Sequence, residues 1–402
     1  MQPPIIVLGL TYNQVPLLQK IQALGHEAIA IGVGGGPSVA KAHADRWFPV
    51  STMDADAVEA LVREVGAVGM VTCGTSSAIC TIAQVTETLG LSDKFISPQV
   101  AHNAVFKENY RRFIPGLMPG GFSHSDAVAA YEGAKALTRP VLLKPADGGG
   151  GKGITVVEGP GAAEFERAFA YAESFSRIGE VIVEEFVRGP VVGVESLVLD
   201  GVVHLLAIPD KIVSPPPRCI TLGVSFPSQL PQAVQARIHA VNAATIKQMG
   251  ILWGPTHIDM VITPEGEPKV IDIGPRLAGG ALMARLVPAA YRYDIYAAVI
   301  RLAMGEQPEP PGEPDDKHYA SRFITTAQQG ILRGVRYTDA DVARHQITSI
   351  TQLVSDGATL DEPDNDGARL MMFTSSGDTH ATVMAQLDGF SQALQIEITD
   401  DA

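Results

Sequence analysis

Cysteine is scarce, with three in 402 residues. Cys73, Cys80 and Cys219 are too few and too scattered for a disulfide framework or a zinc site. Positive charge is also in deficit: 30 lysines and arginines stand against 44 aspartates and glutamates, a formal net charge of -14. Such a balance argues against nucleic acid and against an anionic membrane as partners. No uninterrupted apolar run reaches the length of a membrane span. The opening "MQPPIIVLGLTYNQ" has no basic segment before its short apolar run, so a signal peptide is not expected. These absences leave a cytoplasmic protein as the expectation.

What is present is the mix of an ordinary globular protein, 46% hydrophobic and 18% charged, long enough for two or three domains. Strand and helix patterns alternate up to about residue 100: "IIVLGL", "QVPLLQKIQALG", "HEAIAIGVGG", "DAVEALVREVG", "AVGMVTCG", "SAICTIAQVTETLG". That alternation predicts a parallel sheet covered by helices. From about residue 103 the pattern changes. "VFKENYRRFIPGL" reads as one basic helix, and strand pairs follow: "RPVLLKP" with "ITVVEG", and "EVIVEEFV" with "VVGVESLVLDGVVHLLAI". Mixed elements of this kind predict an α+β unit. The stretch "MGEQPEPPGEPDDKH" reads as a linker or domain edge, with a small mixed unit after it. The expected domains are 1–102, 103–308 and 309–402.

The stretch "KPADGGGGKGITVVEG" draws the eye to phosphate chemistry, because consecutive glycines let the backbone approach a ligand closely. Gly148, Gly150 and Gly153 satisfy G-x-G-x-x-G as a string, but a dinucleotide loop must open a helix, and here a β-branched run follows. A phosphate loop of the GxxxxGK[ST] type fails too, with Ala146 and Gly153 at its required positions. The glycines are therefore expected to join two strands, flanked by Lys144 and Lys152.

Three further features follow the same order along the chain. Lys107 and Lys144 are compact point charges suited to phosphate oxygens. "VIVEEFVRGP" ends a strand in two acids and an apolar pair, Glu184, Glu185, Phe186 and Val187, whose backbone can meet an adenine edge. In "THIDMVITPEGEPKVIDIGPRLAGG" the turn "PEGEP" makes a hairpin that sets Asp259 near Asp272. Facing carboxylates repel unless a cation neutralises them, and Mg²⁺ takes one or two carboxylates plus substrate phosphates. Arg276 offers a fork of donors to a carboxylate or phosphoryl group, and Gly279 and Gly280 permit a close backbone approach.

Taken in this order, residues 1–310 resemble the ATP-grasp superfamily, and the "THID…VIDIGPRLAGG" ending looks most like its carboxylate–amine ligases, among them bacterial L-amino acid ligases. The tail is similar to the small C-terminal domain of biotin-carboxylase-like members. The resemblance implies an α/β and α+β multidomain fold: a parallel α/β domain, an ATP-grasp domain and a small α+β domain. It also implies ATP and Mg²⁺ as cofactors, an acyl phosphate, and small-molecule carboxylate and amine substrates; a homodimer is compatible with it. Lys107 and Lys144 would then bind ATP phosphates under a lid formed by Gly148, Gly149, Gly150, Gly151, Lys152 and Gly153. Glu184, Glu185, Phe186 and Val187 would hold adenine, Asp259 and Asp272 the metal, and Arg276 the transferring phosphoryl group, with Lys144 assisting catalysis. Arg276, Gly279 and Gly280 would face the substrate.

The chain departs from that pattern in three places. Val191 and Val192 stand where a ribose-binding acid is expected, leaving Glu195 as a substitute. Gly274 replaces the asparagine that usually supplies a further metal ligand. Thr221 and Val224 stand where related ligases carry a glutamate and a histidine. Two other readings stay open, a carboxyphosphate- or formyl-phosphate-forming enzyme and an ATP-binding protein with degraded chemistry. A nicotinamide dehydrogenase is disfavoured, since its fingerprint lies between two strands.

Overall fold

The computed structural model describes residues 2–34, 38–138, 140–159 and 161–399. Gly35 and Arg139, which end two of the expected strands, lie outside these residues. The amino-terminal strands form a parallel sheet in the order Arg46–Phe48, His26–Ile31, Gln2–Leu8, Gly69–Val71. Both faces are apolar, as a helix-covered sheet requires. Ile6, Leu8, Ile29 and Ile31 pack with Val58, Leu61 and Val62 of the helix Ala55–Val65. Ile5, Val7, Ala28 and Ala30 pack with Leu17, Leu18 and Ile21 of Val15–Ala23 on the other side.

The basic segment expected as a helix holds one, Lys107–Phe113, and a separate helix, Pro98–Val105, precedes it with Phe106 extended between the two. The break lets the Lys107 amide donate to the Ala146 carbonyl at 2.9 Å. That bond ties the helix start to the end of the strand that carries Lys144.

Three antiparallel sheets follow; the smallest, Thr359–Leu360, Gly330–Arg336, Gln395–Thr399, lies near the carboxyl end, and the other two carry the site residues. The smaller of those two runs Gly121–His124, Val181–Glu185, Val141–Pro145, Thr155–Val157. Its apolar face holds Val141, Leu143, Val157, Val181 and Val183 against Phe165 and Phe169 of the helix Ala162–Glu173. The glycine segment joins Val141–Pro145 to its partner Thr155–Val157, as the β-branched run implied. The pairing expected between "EVIVEEFV" and "VVGVESLV" is corrected. Val181–Glu185 is flanked on both edges inside the small sheet, while Val191–Leu199 lies in the other sheet. Residues 186–190 carry the chain from one sheet to the next.

The larger sheet has nine strands. Its order is Pro268–Gly274, Gly254–Ile262, Val191–Leu199, Asp210–Val213, Thr221–Phe226, His318–Ile324, Met371–Gly377, Ile347–Gln352, with Val202–Ala207 also on Val191–Leu199. Strands beyond the proline-rich stretch thus extend the central sheet through the pairing of Thr221–Phe226 with His318–Ile324. Alternation decides which side chains face the site. Ile258, Met260 and Ile262 pack against Val234, Ile238, Ile246 and Met249 of the helix Gln232–Met249. His257 and Asp259, which alternate with them along the strand, belong to the opposite face. Among the described residues no helix is long and apolar enough to cross a membrane.

Candidate functional site

The hairpin is as expected. Gly254–Ile262 pairs antiparallel with Pro268–Gly274, and Asp259 sits directly opposite Asp272. The two lysines converge on its outer strand. Lys107 Nζ lies 2.5 Å from Asp272 Oδ1, and Lys144 Nζ donates to the Ile271 carbonyl at 2.9 Å. Lys144 also donates to Glu184 Oε1 at 2.6 Å, while Arg111 Nη1 holds Glu184 Oε2 at 2.8 Å. Burial pulls the Lys144 pKa below the ordinary lysine value, although Glu184 opposes the shift. For Asp272, burial alone would raise the carboxyl pKa, but Lys107 outweighs it and holds the group below the usual range.

These contacts revise two expectations. The Glu184 side chain is turned to Lys144 and Arg111 across its neighbouring strand, so it orients lysine rather than adenine. Glu195 is wholly buried, with its Oε1 2.5 Å from His257 Nδ1, and offers nothing to a ribose hydroxyl. The hinge itself is anchored by its backbone. The Glu185 amide donates to the Gly120 carbonyl at 2.8 Å, and the Phe186 amide to the Pro140 carbonyl at 2.9 Å.

The glycine segment turns through left-handed backbone at Gly150 and Gly151, with φ of +66° and +71°, where a side chain is costly. Gly149, Gly150 and Lys152 are exposed, and Gly148 and Gly151 half-buried. A carboxy-terminal segment unnoticed in the sequence meets this loop. The Asp366 amide donates to the Gly150 carbonyl at 3.1 Å, and Tyr171 donates to Asp364 at 2.6 Å.

Arg276 lies against the amino-terminal unit. Its Nε donates to Ser76 Oγ at 3.1 Å, and Asn13 Oδ1 accepts the Gly280 amide at 2.8 Å. Asn13 and Ser76 follow the carboxyl ends of Gln2–Leu8 and Gly69–Val71, where the strand order of the parallel sheet reverses, and Leu277 bridges to Cys73 there. The close approach permitted by Gly279 is to Asn13, which an added Cβ would meet at 2.9 Å. Gly274 has a similar reason: a Cβ there would lie 3.1 Å from the Arg276 guanidinium carbon. Of the two substituted positions, Val224 is buried in the core, and the Thr221 carbonyl accepts from Arg369 at 2.9 Å.

The sequence reading missed the cations on Asp259. Lys211 Nζ is 2.5 Å from Asp259 Oδ1, and His257 Nε2 is 3.1 Å from the same atom. A period-two reading finds His257, two residues before Asp259, and register places Glu195 opposite it. Burial would lower the His257 pKa, but Glu195 and Asp259 outweigh it and hold it at about 9. Among the described residues no three histidine, cysteine or acidic side chains form a ready metal cage. A divalent ion here would need phosphate oxygens as further ligands. Asp272, its side chain 31% exposed and held by Lys107 and more loosely by the Tyr110 hydroxyl at 3.4 Å, fits that demand. Asp259, 17% exposed and clamped by two nitrogens, does not fit as it stands.

Residues 118–280, which span the glycine segment, the hinge and the acid hairpin, match the ATP-grasp domain model. The chain carries an ATP-grasp domain. The chain is 27% identical over 280 residues to an uncharacterized protein of Sinorhizobium fredii, covering 64% of this chain and 55% of that protein. It is 24% identical over 278 residues to Carnosine synthase 1 of Gallus gallus, covering 66% of this chain and 29% of the synthase. It thus spans about half, or less, of the length of these two relatives. In fold it is similar to L-amino acid ligase from Bacillus licheniformis, with a TM-score of 0.82 at 18% identity, over 100% of both chains.

Proposed function

We propose that this protein is a cytoplasmic ATP-dependent carboxylate–amine ligase. The observation that carries the reading is the convergence of Lys107 and Lys144 on neighbouring residues of one strand, at Asp272 and Ile271. Similarity to a carnosine synthase and to an L-amino acid ligase supports amide formation as the reaction class. In this reading ATP lies between the two antiparallel sheets that carry the site residues. The backbone of Glu185, Phe186 and Val187 borders adenine, and Lys107 and Lys144 bind phosphate oxygens. Glu184 and Arg111 keep Lys144 in place while it does so. The segment 148–153, braced by Asp366, excludes water from the transferring phosphoryl group. Mg²⁺ at Asp272 would neutralise charge on the phosphate oxygens.

The carboxylate oxygen attacks the γ-phosphorus, ADP leaves, and the acyl phosphate carbon then accepts the amine with release of phosphate. Arg276, on the side of the amino-terminal unit, stabilises charge on the phosphoryl oxygens as it develops. The test is a screen of carboxylate and amine pairs for ADP release, with hydroxylamine to trap acyl phosphate as hydroxamate. Pair-dependent ADP and hydroxamate support the ligase. ADP release that needs bicarbonate and no amine points to the carboxyphosphate reading, and nucleotide binding without any ADP release to a binding protein.

A further inference from the structure

We infer that Lys211 is the resident counter-cation of Asp259, so that the site takes one divalent ion, on Asp272, instead of two. The inference rests on the ATP-site reading and deepens it. Its basis is geometry around one oxygen. Asp259 Oδ1 lies 2.5 Å from Lys211 Nζ and 3.1 Å from His257 Nε2. Both partners are firmly placed. Lys211 is on the strand Asp210–Val213, inside the nine-stranded sheet, and its side chain is only 12% exposed. His257 is held from behind by Glu195, 2.5 Å away and wholly buried.

The residue directly across from Asp259 on the neighbouring strand is Gly193, so no side chain there crowds the group. A Cβ at Gly193 would lie 3.4 Å from the His257 ring and 3.5 Å from the Glu195 carboxylate. The cluster is thus two carboxylates interleaved with an ammonium and an imidazole.

A divalent ion at Asp259 would be brought close to the Lys211 ammonium, and like charges at such range repel strongly in a partly buried site. An ammonium already does what such an ion would do, which is to relieve the repulsion between Asp259 and Asp272 across the hairpin. The other potential ligand is missing as well. Gly274 has no side chain, and the Arg276 guanidinium lies 3.1–3.3 Å from where its Cβ would begin. Asp272 differs in two respects: its side chain is more exposed, 31% against 17%, and no histidine shares its oxygen. Its lysine, Lys107, is as close and as buried as Lys211 but begins a short helix, and in the ATP-site reading it exchanges Asp272 for phosphate oxygens.

The test is a count of Mn²⁺ ions per chain by electron paramagnetic resonance, with a saturating non-hydrolysable ATP analogue. One nucleotide-dependent Mn²⁺ per chain is expected; two overturn the inference. A double variant, Lys211→Met with Asp259→Asn, removes the pair without leaving either charge alone. Its Mn²⁺ affinity in the nucleotide complex should stay within about twofold of the parent, whereas Asp272→Asn should lose about tenfold or more, the scale of one charge-assisted contact. A tenfold loss in the double variant would sink the assignment of Lys211. If the double variant does not fold, the count on the parent chain decides. Absence of nucleotide-dependent Mn²⁺ binding in the parent would instead overturn the ATP-site reading, and the inference with it.

Discussion

Lys107 and Asp272, far apart in sequence, meet with Nζ 2.5 Å from Oδ1 in a site where Asp259 stands opposite Asp272. The pair explains how two facing carboxylates coexist before any ligand binds. It also places an ammonium where phosphates are expected. Lys107→Ala should weaken nucleotide binding about ten- to a hundredfold, the loss of one charge-assisted contact of roughly 1.5–3 kcal/mol. Calorimetric titration with ATP checks this, and an unchanged affinity would leave Lys107 as a structural counter-ion only.

Lys144 should behave differently, because it is also part of the buried scaffold. Lys144→Ala leaves Glu184 in the interior with Arg111 alone. Breaking a buried pair costs about 3–5 kcal/mol. Urea unfolding should show that loss, and adding Glu184→Gln should recover part of it. A Lys144→Ala protein as stable as the parent would contradict the buried-pair account.

The glycine segment is expected to open and close. Its tie to the carboxy-terminal segment is the bond from the Asp366 amide to the Gly150 carbonyl. Protease nicking near Gly150 should fall when Mg-ATP is added, since ligand contacts fix backbone that is otherwise costly to order. Gly150→Ala should destabilise the folded loop by about 1–2 kcal/mol, because φ is +66° and nothing crowds the site. Equal nicking with and without nucleotide would dispose of the lid.

Arg276→Ala should lower turnover about 10²–10³-fold while leaving ATP affinity nearly unchanged, since the contact strengthens as charge develops. Gly274→Ala should move turnover in the same direction, because the new Cβ would press on the Arg276 guanidinium from 3.1 Å. Steady-state kinetics with any active substrate pair decides it. Near-parent turnover in Arg276→Ala would remove the arginine from the chemistry.

The cysteines give a pH prediction. Burial pushes the thiols of Cys73 and Cys219 up to about 11. At pH 8 their thiolate fraction is about a hundredfold below that of an unperturbed thiol, and alkylation of the native chain should be correspondingly slow. It should accelerate as pH climbs toward 11, while the structure persists. Mass spectrometry of iodoacetamide-treated protein reads both sites, and rapid labelling of Cys73 at pH 8 would show that its seam against Ala278 opens freely.

Much of this protein is local, and local chemistry is legible in the sequence. Apolar alternation marks strands and helices because burial has the period of the backbone, and "PEGEP" between two β-rich runs leaves few options but a hairpin. The consecutive glycines between two strands, and Asp259 facing Asp272, follow from those short-range rules. Partner choice is different. That Glu184 turns to Lys144 and Arg111, that Glu195 backs His257, and that Lys211 reaches Asp259 depend on which strands become neighbours. So does the crossing of residues 186–190 from one sheet to the other, which the strand propensities could not anticipate. Sheet order is decided by packing over the whole chain, and buried charges must then find partners among whatever that order brings near. The residue types for phosphate and metal chemistry were written in the sequence; which carboxylate a lysine neutralises was decided only by the tertiary structure, because distance, not sequence separation, sets the strength of a charge pair.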